Sequence, residues 1–272
     1  MKRQFITALC IAVASCLLLA LIALVTVISS CSQSAGKKTG ADWSGYNVGH
    51  IVFEDKAPES EGSRIYASII KDPDAYIQEQ ARDVLATLYF SPADSIPPVD
   101  NIYYTLEDVE GISAKGGEGK DAYVFYSTRH IEHSYVGENT DKVLFETRGV
   151  LLHELTHVYQ LSPQGIGDYD TDRVFWCFIE GMADAVRVAG GGFLPEDRPR
   201  GGNYMDGYRT TGFFLVWLRD NKDPDFLRKF NASTLEVIPW SFDGAIRHCL
   251  GENANIDELW HEYQVAVGDI KL

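Results

Sequence analysis

The period of the apolar positions changes along the chain, and each change marks an element. Residues 5–30 form an apolar run without a charge, preceded by Lys2 and Arg3, the pattern of an export signal. Such a run would also span a bilayer as an uncleaved helix, the competing reading. Loose alternation over 46–53 predicts a strand. Asp72-Pro73-Asp74 then offers a cap and first turn for a helix to residue 90, with Tyr76, Ala81, Val84, Leu85 and Leu88 at helical spacing. Three prolines in 91–98 end it. Segments 101–106 and 122–127 read as strands by their aromatic and β-branched content, joined in a hairpin by a glycine-rich turn over 111–119. Beyond them the pattern is helical, over 146–161, 171–188 (stopped by Gly190-Gly191-Gly192), 204–220, 224–230 and 258–267, the last capped by Asp257. Strands first and helices later predict an α+β fold, because βαβ proteins alternate the two.

Charge narrows the partners. With 39 acidic against 24 basic residues the formal charge is −15, which argues against electrostatic binding to nucleic acid or to an anionic membrane surface. Ile28-Ser29-Ser30-Cys31 resembles a bacterial lipobox. That resemblance implies cleavage before Cys31, acylation of its thiol, and an exported protein lipid-anchored to a bacterial cell membrane. Residues 31–42 then read as a flexible tether and 43–272 as one domain of about 230 residues. Of five cysteines only Cys177 and Cys249 fall in that domain; a disulfide and two free thiols are both open, and a cysteine-rich zinc knuckle is excluded.

Candidate chemistry sits in the 146–161 helix. Val150-Leu151-Leu152-His153-Glu154-Leu155-Thr156-His157-Val158-Tyr159 holds an HExxH motif with apolar flanks. Residues four apart share a helical face, so His153 and His157 can address one Zn2+ ion, and Glu154, one residue round, can act as general base. The bland alternative is a buried helix with two satisfied histidines, but three polar groups in an apolar helix each need a partner. The next helix offers Glu180 and Asp184, again four apart, with Gly181 and Ala183 small enough for close packing of the two helices. Glu180 serves as third ligand and Asp184 as acceptor for a histidine Nδ1–H, with a direct ligand role for Asp184 the alternative. The pair resembles the ExxxD segment of the gluzincins.

A narrower resemblance follows. Residues 148–160, the Glu180-Gly181-Met182-Ala183-Asp184 segment with Val186-Arg187, the run 211–218 and the segment 257–264 are similar to the basic secretory protein family, peptidases of plants and bacteria. It implies a zincin-like fold, a small sheet packed on the HExxH helix with a mainly helical C-terminal part, and hydrolysis of peptide or protein substrates. The chain departs from that family in being acidic. Tyr208, with Tyr204 behind it, is the candidate donor to the oxyanion of the tetrahedral intermediate. His130 and His133 read as a solvated loop, and His248 and His261 are given no chemistry. Strand 122–127 is the candidate edge on which an extended substrate would lie. The expected function is a zinc metallopeptidase, against a non-catalytic cell-surface binding lipoprotein or an amidase of cell-wall peptides.

Overall fold

The computed structural model describes residues 41–271. The export signal, Cys31 and nearly all of the tether lie outside the described residues. The chain opens with β1 (His50–Asp55), α1 (Glu61–Ile69) and α2 (Pro73–Leu88). Next come β2 (Asn101–Glu107), β3 (Ser113–Gly116), β4 (Asp121–Ser127), α3 (Thr128–Ser134) and α4 (Thr140–Tyr159). A helical half follows, with α5 (Arg173–Ala189), α6 (Tyr208–Asn221), α7 (Phe226–Glu236), α8 (Phe242–Leu250) and α9 (Ile256–Ala266). The fold is mixed α+β with one small sheet.

Strand order in the sheet is β1-β2-β4-β3. β1, β2 and β4 run parallel, and β3 is antiparallel to β4. This corrects the expected hairpin in two ways: 101–107 and 121–127 are parallel neighbours, and the glycine-rich stretch contains a strand of its own. Strand 122–127, expected at an edge, lies inside the sheet, and β3 takes the edge. β1 starts later than expected because Gly49 has φ +98° and its N–H is held by the Asn47 side chain at 3.1 Å, turning the chain before His50.

α2 forms as predicted from its cap: Asp72 accepts from Ala75 N–H at 3.0 Å, and Ile77, Ala81, Val84, Leu85 and Leu88 are buried. α4 is capped by Asn139 and is apolar around much of its girth, with Val143, Val150, Leu151, Leu152, Leu155 and Val158 buried. Tyr89 and Tyr159 tie α2, α4 and the approach to β1 together, each donating to a backbone carbonyl, of Tyr159 (2.5 Å) and Val48 (2.6 Å) respectively. Gly149 of α4 leaves room for Arg187 of α5, whose Nε would lie 2.6 Å from an added Cβ. That guanidinium donates to Gly192 O at 2.9 Å and pairs with Glu146 at 3.1 Å. The helical half closes on an aromatic cluster of Phe178, Phe226, Phe230, Trp240 and Phe242. Asn255, not Asp257, caps α9.

Gly181 does not serve the contact with α4. Its Cβ position faces α6 and would sit 2.4 Å from Thr211 Cγ2, while a Cβ on Gly212 would sit 2.9 Å from Asp184 Cβ. The close pair is therefore α5 and α6. Thr211 cannot yield easily, because its Oγ1 accepts from Gly207 N–H at 2.9 Å and donates to Tyr204 O at 2.7 Å. Gly181→Ala is expected to cost about 1–3 kcal/mol by overpacking. An unchanged urea midpoint would show that α6 can move away freely.

Candidate metal centre

Three elements converge on one cleft of about 400 Å³. α4 contributes His153, Glu154 and His157, α5 contributes Glu180, and the edge strand β3 contributes Ser113 and Lys115. His153 Nε2 and His157 Nε2 lie 3.1 Å apart. Glu180 Oε2 is 3.3 Å from the first and 3.7 Å from the second. These three residues could hold a metal ion, each offering one ligand atom, all within 4.8 Å of one another.

The electrostatics fit a cation there. Glu180 Oε2 is buried without a hydrogen-bond partner, a costly state for a carboxylate oxygen unless something positive faces it. Burial works against a charged His153, yet the carboxylates of Asp184 and Glu180 outweigh it and hold that imidazole up to about 10. Burial, with the His153 charge beside it, presses His157 down to about 3. The acidic neighbours thus favour positive charge at the centre, and a divalent ion would compete with the His153 proton for it. Two imidazoles and one carboxylate form a donor set suited to zinc, with further coordination open to the cleft.

Each donor is held from behind. Asp184 Oδ1 lies 2.7 Å from His153 Nδ1, which leaves Nε2 directed at the centre. Tyr169 donates to Glu180 Oε1 at 2.5 Å. Gln160 Nε2 lies 2.9 Å from His157 Nδ1, and Gln160 Oε1 is buried without a partner. The two ends of an amide have nearly the same shape, so turning it over lets Oε1 accept from Nδ1–H, the tautomer that frees His157 Nε2 for a metal. Glu154 is 4 % exposed, and burial raises its carboxyl above the ordinary range. Ser113 Oγ donates to Glu154 Oε1 at 2.5 Å and fixes it at the cleft wall.

Tyr208 stands across the opening. Its ring stacks on His153 with centroids 6.1 Å apart and meets the edge of Trp176 at 5.3 Å. Its φ of +42° follows Gly207 at +78°, a left-handed pair that a bulky residue adopts only under constraint. Gly207 is required, because a Cβ there would fall 2.3 Å from the Trp176 ring. Tyr204 is packed away from the cleft, among Phe214, Phe242 and Trp260.

Sequence reasoning missed Ser113, Gln160 and Tyr169. Neither β3, four residues long, nor the loop carrying Tyr169 shows a periodic signal. His130, expected in a solvated loop, sits on α3 with Nε2 3.9 Å from Glu146. His133 shares that helix, and it, His248 and His261 are exposed. Cys177 and Cys249 are free and buried. Burial pushes their thiols up to about 11 and about 12, so neither is a ready nucleophile.

Beyond the centre the cleft continues past Ser113, His153, Glu154 and Tyr208 into a second hollow of about 640 Å³ toward Glu146, Arg187 and Arg209. Neither the curated proteins nor the solved structures contain a match to this chain. One family profile does match, over residues 49–263, and spans the whole sheet, the metal centre and the helices that support it. The chain belongs to that family, the peptidases of plants and bacteria.

Proposed function

We propose that the protein is a zinc-dependent peptidase of zincin-like, gluzincin type. The observation that carries it is the convergence of His153 Nε2, His157 Nε2 and Glu180 Oε2 beside the buried Glu154 carboxylate. A zinc ion held by those three residues supplies electrophilic activation of water and of the scissile carbonyl. Glu154, aimed by Ser113, takes the proton of the attacking water and passes it to the leaving amine. Its burial favours this, because a carboxyl raised toward neutrality is the better proton carrier at physiological pH. Asp184 and Gln160 set the imidazole tautomers, Tyr169 holds Glu180, and the Tyr208 hydroxyl donates to the developing oxyanion.

The edge of β3 provides the substrate's backbone partner. Ser127 N–H bonds to Ile112 O at 2.8 Å, which sets the phase of the antiparallel ladder. Backbone groups alternate in direction along a strand, so those of Ser113 and Lys115 point away from β4 and are free to pair with an extended peptide. The lipobox-like Cys31 motif supports the reading of an exported enzyme held on a lipid anchor. Treatment of the full chain with a chelator is expected to abolish cleavage of a peptide library, and one equivalent of Zn2+ to restore it. Undiminished cleavage by the metal-free protein would remove zinc from this reading.

A further inference from the structure

Lys115 is, apart from the two histidines, the basic side chain among the residues lining the His157 side of the cleft. In the β3–β4 register Ser113 pairs with Tyr126 and Lys115 with Val124, and both partners are buried on the helix-facing side of the sheet. Paired residues share a face. Lys115 therefore faces the same way as Ser113, inward along the cleft floor, and its charge is felt by His157. Lysines on sheet edges commonly block pairing with other strands by reaching into solvent; this one is half-buried instead.

Among the described residues no ion pair or hydrogen bond engages the Lys115 ammonium, and burial presses it below the ordinary range. On the zinc reading, the two positive charges of the ion face Glu154, Glu180 and, behind His153, Asp184, and those carboxylates are engaged at the centre, with none of them in an ion pair with Lys115 among the described residues. A half-buried ammonium without a counter-ion is a site for one.

We propose that Lys115 selects peptide substrates that present a carboxylate, from an acidic side chain or from a free C terminus. The proposal rests on the peptidase reading. Ser113 and Lys115 are two residues apart, about 7 Å along the strand. A peptide paired with β3 repeats at the same interval, so the recognised group lies one or two residues from the bond held over Glu154.

The test separates recognition from turnover by measuring binding to the zinc-loaded full chain carrying Glu154→Gln. Fluorescent, otherwise neutral hexapeptides carry Glu, Gln or Lys at successive positions, each with a free or an amidated C terminus. A carboxylate in the right register is expected to tighten binding about tenfold or more over its neutral counterpart, as a charge-assisted pair does. That ratio should fall to about one in Glu154→Gln/Lys115→Met, return in Glu154→Gln/Lys115→Arg, and turn in favour of lysine-bearing peptides in Glu154→Gln/Lys115→Glu. A preference that persists in amidated peptides identifies the acidic side chain, and one that needs the free C terminus identifies terminal recognition. A ratio near one in the Glu154→Gln protein, or one unchanged by Lys115→Met, overturns the assignment. If wild-type protein cleaves none of these peptides while the ratios behave as expected, the peptidase reading fails and Lys115 keeps its role. Cleavage without any carboxylate preference does the reverse.

Discussion

Glu154→Gln is expected to lower kcat for peptide cleavage by about 10²–10⁴-fold, the usual contribution of a positioned proton carrier, while zinc content stays at the wild-type level. Glutamine has the same outline, so it fills the same buried space and its amide oxygen can still accept from Ser113, which donates to Glu154 Oε1 at 2.5 Å. It cannot take a proton. Glu154 also lies outside the set of residues that could hold the metal, so affinity for zinc should change little. The measurement is kcat on one good peptide beside metal content by elemental analysis. A Gln variant with near wild-type kcat would give the proton transfer to another group. A variant that lost zinc would show that Glu154 helps to hold the ion.

Metal affinity should fall in two distinct steps when the centre is taken apart from inside and from behind. His157→Ala removes one of three donors, and the protein should no longer purify with stoichiometric zinc. Asp184→Asn leaves all three donors in place and disturbs only the group at 2.7 Å from His153 Nδ1; losses of this kind weaken binding by about 10–100-fold. Competition with a chromophoric chelator would resolve the two. Equal, complete loss in both variants would mean that Asp184 is itself a ligand. No loss in Asp184→Asn would leave that carboxylate without a part in holding the imidazole.

What was readable in the sequence was local. His153, Glu154 and His157 lie within one turn and a fraction of α4, and Glu180 and Asp184 one turn apart on α5, so helical spacing alone put each set on a common face. The caps at Asp72 and the glycine stop after α5 depend on the same short range. Sheet topology does not. β2 and β4 are separated in sequence by β3, yet they pair in parallel while β3 sits outside them. Nothing in the composition of Ser113-Ala114-Lys115-Gly116 marks a strand, because pairing with β4 makes it one. Ser113, Gln160 and Tyr169 escaped for a related reason: each reaches the centre through a contact made only by the folded chain. The Gly181 contact was misassigned because small residues announce close packing without saying which neighbour approaches. α1 went unseen because it is nine residues long and carries a glycine, a poor helix former, in its first turn; Gly62 is needed there because the backbone of Thr128 presses within 2.1 Å of an added Cβ.

The open side of β3 has a consequence for which molecules can be attacked at all. The strand is four residues long, about 13 Å of ladder, and it accepts only backbone that is already extended and unpaired. The interior of a well-folded protein offers no such segment, since its own amides are spoken for by helices and sheets. The proposed enzyme would therefore sort its substrates by conformation before it reads their side chains, passing over intact domains and acting on tails, loose loops and misfolded or partly degraded chains.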